Sequence, residues 1–98
     1  MVKAVTGKPR AVAKVTVNVL LFGRLSELQS GSNITIELDE TNSSPNAVRA
    51  LLSADNSSLG RALNEPQILV AVNKEIVSLD HALKDGDELA FLPPVTGG

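Results

Sequence analysis

The sequence predicts an α+β fold, a small mixed sheet packed on one main helix, and three observations carry that prediction. Apolar residues alternate with period two in the first third of the chain, at Val15, Val17, Val19 and Leu21 and again at Ile34, Ile36 and Leu38. A capped segment with helical spacing follows, and then come short apolar runs separated by turn residues. The chain has 98 residues, of which 43% are apolar, enough for one core but not for two.

The first strand, from Val15 to Phe22, ends at Gly23, and Leu25 with Leu28 then suggests a short helical turn. Ser30-Gly31-Ser32-Asn33 reads as a loop, after which Ile34 to Leu38 forms the second strand of an antiparallel hairpin with a long connection. Ser44 suits a helix N-cap and Pro45 the first helical position; Val48, Leu51 and Leu52 follow at helical spacing. Ser57 to Leu63 reads as a second short helix, weakened by Gly60. Ile68 to Val72 is a continuous apolar run, expected to be covered on both faces and to pair in parallel with the first strand. Asn73-Lys74 turns into a strand over Ile76–Ser78, Leu79–Leu83 suggests one helical turn, and Asp85-Gly86-Asp87 turns into the last strand, Glu88–Leu92. This ββαβ-β order is that of the β-grasp, or ubiquitin-like, arrangement.

The expected organisation is a basic extension over 1–14, a β-grasp domain over 15–92 and a projecting, flexible tail over 93–98. Residues 1–14 carry Lys3, Lys8, Arg10 and Lys14 and no acid, whereas the remainder carries five basic and eleven acidic residues, a net of −6. The extension reads as a solvated, mobile leader. The acidic body disfavours nucleic acid and favours basic protein partners, and with Phe22 and Phe91 as its only aromatics the chain lacks a base-stacking platform. Without cysteine there is no disulfide, thiolate metal site or cysteine nucleophile. The longest apolar run is too short for a bilayer and no secretory signal pattern opens the chain, so a cytoplasmic protein that does not engage membranes is expected.

Internal catalysis has few candidates. Ser78, Asp80 and His81 are too close in sequence for a catalytic triad, and His81 reads as a capping or surface residue. Asp85, Asp87 and Glu88 read as turn chemistry, and no metal site is expected. The tail is more informative. Pro93-Pro94 ends the last strand and favours extended backbone, and at roughly 3.1 Å per residue the segment Pro93-Pro94-Val95-Thr96-Gly97-Gly98 reaches about 19 Å. Its final two residues have no side chains to obstruct a narrow tunnel, at the bottom of which the Gly98 carboxylate would be presented. Alternation places Leu89 and Phe91 inward and leaves Phe22, Ile76 and Leu92 on the sheet's open face near the root of the tail, a candidate docking patch. The alternative is that some of these pack beneath the basic extension.

From about Val17 to Gly98 the sequence resembles the small-subunit family of molybdopterin synthase, the MoaD-type sulfur carriers. The resemblance rests on Leu21-Phe22-Gly23-Arg24-Leu25-Ser26-Glu27-Leu28, Leu69-Val70-Ala71-Val72-Asn73, Ser78-Leu79-Asp80-His81, Asp85-Gly86-Asp87-Glu88 and the closing Phe91-Leu92-Pro93-Pro94-Val95-Thr96-Gly97-Gly98. Where family members often carry paired aromatics, Leu21 precedes Phe22 and Leu92 follows Phe91. The resemblance implies a carrier that binds no cofactor and is not catalytic alone. An E1-like adenylyltransferase would use ATP to activate Gly98, binding nucleotide only in that complex, and a sulfur donor would then leave a thiocarboxylate. The large synthase subunit, in a heterotetramer, would receive the tail and pass its sulfur to cyclic pyranopterin monophosphate during molybdenum cofactor biosynthesis. The alternatives are a related carrier for thiamine biosynthesis or tRNA thiolation, and a ubiquitin-like protein modifier.

Overall fold

The computed structural model describes residues 13–29 and 33–94. Strand β1 (Lys14–Leu21) buries its alternate residues Val15, Val17, Val19 and Leu21. It is followed by the one-turn helix α1 (Arg24–Glu27), which buries Leu25, and by strand β2 (Asn33–Asp39). The two strands pair antiparallel from Lys14 opposite Asp39 to Leu20 opposite Asn33. Lys14, expected in the extension, is therefore the first residue of the sheet. Its ammonium group lies 2.8 Å from Asp39. The hydrogen bond to Asp39 and that residue's negative charge hold the lysine above its ordinary pKa. The small contribution of this exposed pair is undiminished below the ordinary lysine value and is lost as pH climbs through the raised one.

A 3-10 turn (Glu40–Asn42) leads to the main helix, α2 (Pro45–Asp55). Ser44 caps it as expected, its Oγ accepting from the Ala47 N–H at 3.2 Å. Val48 and Leu52 face the core, but Leu51 does not. Asn56 then serves two helices: its N–H donates to the Leu52 carbonyl at 2.9 Å, and its Oδ1 accepts from the Leu59 N–H at 3.1 Å. The second helix, α3 (Ser57–Leu63), forms with the expected bounds. Gly60 does not weaken it without return, because a Cβ there would lie 2.7 Å from Ser53 Cβ; the glycine lets α3 lie against α2.

The remaining strands are β3 (Leu69–Val72), β4 (Glu75–Val77) and β5 (Glu88–Leu92). The sheet order is β2-β1-β5-β3-β4. β5 is the parallel partner of β1, with Asn18 opposite Glu88 and Leu21 opposite Phe91. This corrects the expectation for the apolar run: β3 pairs antiparallel with β5 and with β4, and does not pair with β1. Its covering is also incomplete, because Leu69 is 52% exposed while Val70, Ala71 and Val72 are buried. Strand β4 starts one residue earlier than expected. Leu79–Leu83 forms no helix, only a turn in which the His81 N–H donates to the Ser78 carbonyl at 3.2 Å. Leu83 nevertheless reaches the core, where its N–H donates to the Ser43 carbonyl at 2.8 Å.

The core lies between the helices and one face of the sheet, with Phe91 its only aromatic residue and Leu25, Leu59, Leu63 and Leu89 packed at zero exposure. Phe91→Ala should cost about 3–5 kcal/mol, because the cavity sits at the centre of the packing. Ile76→Ala, on the other face, should change stability by no more than about 0.5 kcal/mol. Urea unfolding of the two variants checks the contrast.

Candidate functional site

The helices cover one face of the sheet, and the pairing registers define what lies on the other. Leu20 lies opposite Ala90, Ala90 opposite Ala71, and Ala71 opposite Ile76, so one apolar row crosses four strands. A second row adds Phe22, whose N–H donates to the Phe91 carbonyl at 3.4 Å, and Leu92, which lies opposite Leu69. The expected patch residues Phe22, Ile76 and Leu92 are brought together on the rim of one shallow concavity of about 420 Å³. Phe22 is 46% and Ile76 60% exposed; Leu92 is half-buried. Leu20, Ala71 and Ala90 line the same concavity, and Lys74 and Glu88 give it a charge-balanced rim. The sequence reading placed Ala90 outward but did not group it with the patch, and it missed Leu20, Ala71 and Leu69. Period-two counting carried from Val70 and Val72 through the β3 run would have placed Leu69 and Ala71 on this face.

The root of the tail is held beside this patch. Gly23 adopts φ 58° and ψ −138° in a turn closed by the Leu25 N–H donating to the Phe22 carbonyl at 3.1 Å. A Cβ at Gly23 would lie 2.9 Å from Pro93 Cγ, so the glycine supplies both the turn and the room for the proline ring. Gly23, Arg24, Pro93 and Pro94 together line a recess of about 280 Å³. Arg24 is anchored from the other side by an ion pair with Glu65. The expected roles of Val95, Thr96, Gly97 and Gly98 lie outside the described residues, as do those of the extension up to residue 12.

The remaining candidates have structural partners. The Asp80 carboxylate accepts from Asn46 Nδ2 at 3.0 Å, and His81 is exposed. Asp85 Oδ1 accepts from the Thr16 N–H at 2.8 Å, and Asp87 accepts from Asn73 Nδ2 at 2.9 Å and from the Lys84 N–H at 2.8 Å. Asn73 completes the network by accepting from the Glu88 N–H at 3.0 Å. These carboxylates tie the loop before β5 to β1 and to the β3–β4 turn. Among the described residues no group of three or more His, Cys, Asp or Glu side chains could hold a metal ion, and no helix is long and apolar enough to cross a membrane.

Comparison with known proteins places this geometry. The profile of the ThiS family matches residues 19–98. The molybdopterin synthase sulfur carrier subunit of Escherichia coli is 42% identical over 84% of this chain and 99% of its own length. The small archaeal modifier protein 1 of Haloferax volcanii is 31% identical over 80% of this chain and 95% of its own. The crystal structure of SAMP1 from Haloferax volcanii matches 85% of this chain and 99% of its own, with a TM-score of 0.73 at 27% identity. A chain from the complex of subunits 1 and 2 of the molybdopterin-converting factor of Helicobacter pylori matches 86% of this chain and all of its own, with a TM-score of 0.62 at 29% identity. The ubiquitin-like β-grasp expected from the order of elements is the fold observed.

The contact between Gly23 and Pro93 is open to a direct test. Gly23→Ala should destabilise the protein by on the order of 1–3 kcal/mol, from backbone strain and from the displaced ring. Pro93→Ala in the same chain should recover part of that loss. A double-mutant cycle by urea unfolding measures the coupling, and strictly additive losses would show that the two residues do not press on each other.

Proposed function

The chain belongs to the ThiS family, and we propose that within it the chain is the sulfur carrier subunit of a molybdopterin synthase. The observation that carries this reading is the 42% identity to a sulfur carrier subunit, which extends over 99% of that protein. The apolar face and the seated tail root fit a subunit that contributes position and reach and is not a catalyst by itself. The expected site of action is the cytoplasm.

In this reading Gly98 is the reactive residue. A carboxylate is a poor acylating group because oxide would have to leave. An E1-like adenylyltransferase overcomes this with ATP: a Gly98 carboxylate oxygen attacks the α-phosphorus, pyrophosphate leaves and an acyl adenylate forms. Sulfur delivered at the oxidation level of sulfide then makes the C–S bond as the C–O bond to AMP breaks, which leaves a thiocarboxylate. Pro93 and Pro94 direct Val95, Thr96, Gly97 and Gly98 into the large subunit, where the sulfur passes to cyclic pyranopterin monophosphate. Phe22, Ile76 and Leu92 form the surface that meets the partner, with the assembly a heterotetramer. Holding the tail in a tunnel makes the transfer effectively unimolecular. The likeness to a small archaeal modifier protein favours a second reading, in which Gly98 is joined to lysines of other proteins; isopeptide conjugates in cells distinguish it.

Incubation with the E1-like enzyme, ATP and a sulfur donor should raise the intact mass by one exchange of oxygen for sulfur. Deletion of Gly98 should abolish the change with thermal stability nearly unaltered, and His81→Ala should leave it intact. Full sulfur transfer by the Gly98 deletion would sink the assignment.

Binding to the large subunit should divide between charge and patch. The acidic body should make association slow as salt rises, while dissociation changes less. Phe22→Ala should weaken the complex by roughly 1–3 kcal/mol. Stopped-flow association across a salt series and calorimetry of the variant check the two halves.

A further inference from the structure

The turn between β3 and β4 holds a lysine where the backbone favours glycine. Val72 pairs with Glu75, so Asn73 and Lys74 alone make the connection. Their φ angles are 50° and 74°, and among the described residues no other non-glycine residue has a positive φ. A two-residue hairpin loop of this kind accepts asparagine at its first position and favours glycine at its second. Lysine there carries the steric penalty of a Cβ in left-handed backbone. Asn73 holds the turn in place. Its N–H donates to the Glu88 carbonyl at 2.8 Å, its Oδ1 accepts from the Glu88 N–H at 3.0 Å, and its Nδ2 donates to Asp87 at 2.9 Å.

None of these bonds uses the Lys74 side chain. It is exposed and lines the open-face concavity with Ala71, Ile76, Glu88 and Ala90. The ion pairs among the described residues are Lys14 with Asp39 and Arg24 with Glu65, and Lys74 takes part in neither. Strain that the turn itself does not require points to a use outside the fold.

Place and sign say which use. The turn sits beside Glu88 at the start of β5, and Leu92 ends that strand about 13 Å away at the rise of a strand. Phe22, Leu92 and the seated tail root hold one end of the face, so a contact at Lys74 would fix rotation about that end. Residues 15–98 carry five basic and eleven acidic residues. A partner drawn to them is basic overall, and an ammonium on the rim opposes such a surface unless a carboxylate stands opposite.

We propose that Lys74 is a specificity-determining residue of the docking face: its ammonium pairs with a carboxylate of the large synthase subunit and sets the rotation of the carrier about its inserted tail. This rests on the sulfur-carrier reading. A partner that offers a basic or apolar group at that point is rejected, because docking would leave the ammonium unpaired or repelled.

The test uses the full-length carrier and its large subunit. Lys74→Gly removes strain and charge together, so it should raise Tm by several degrees and yet weaken the complex about tenfold by calorimetry. Lys74→Arg should retain most of the affinity, and Lys74→Glu should lower it about a hundredfold. Steering by the acidic body alone gives the opposite sign, because loss of the lysine makes the carrier more negative. Carbodiimide coupling, which joins a lysine amine to an adjacent carboxylate with loss of water, should link Lys74 to an Asp or Glu of the large subunit. Unchanged or increased affinity in Lys74→Glu, a fall in Tm for Lys74→Gly, or no Lys74 cross-link in a complex that forms overturns the proposal and leaves the carrier reading standing. A wild-type chain that does not bind the large subunit overturns that reading and the proposal with it.

Discussion

Parallel strands cannot be joined by a tight turn, so the pairing of Asn18–Leu21 with Glu88–Phe91 forces the chain between them to cross the sheet. That crossing carries α2 and α3 over one face and leaves the other bare. It also seats the last strand in the middle of the sheet, between β1 and β3. The ends of two central strands then lie side by side, which brings Phe22 next to Leu92 and Gly23 against Pro93. The apolar face and the root of the tail are adjacent for the same reason.

Away from the sheet, order is kept by polar side chains that each hold more than one segment. Asn56 ends α2, begins α3 and donates through Nδ2 to the Leu28 carbonyl at 2.7 Å, fixing the connection after α1 as well. Asn73 and Asp87 do the same for the β3–β4 turn and the loop before β5. Among the described residues no buried side-chain nitrogen or oxygen lacks a partner, so these asparagines and aspartates stiffen the molecule without leaving unpaired polar groups in the core.

Much of this was legible from local chemistry. The alternation of Val15 to Leu21, the Ser44-Pro45 start of α2 and the limits of α3 are set by neighbouring residues, and the patch of Phe22, Ile76 and Leu92 followed from counting by two. Pairing is not local. A run such as Leu69–Val72 reads the same whether it lies beside β1 or beside β5, and its uniform apolarity concealed that Leu69 and Ala71 turn toward the bare face. Leu51 shares the helical spacing of Val48 and Leu52 yet lies exposed, because that spacing marks a stripe wider than the surface α2 has to bury against. The absence of a helix at Leu79–Leu83 follows from tertiary bonding, since the Ser43 carbonyl takes the Leu83 N–H. Gly60 was legible as a weak point but not as a contact, because its neighbour Ser53 lies in another helix.

The central position of β5 also has a mechanical consequence. A pull on the segment beyond Leu92 runs along the axis of a strand that is hydrogen-bonded on both sides, to β1 in parallel and to β3 in antiparallel register. The bonds on both flanks must shear together and cannot be unzipped one at a time from an edge. Phe91 and Leu89, anchored in the core, add resistance to the same displacement. The molecule is therefore built to be handled by its end: tension on the tail is borne by the strongest part of the sheet, and the helices and outer strands are spared.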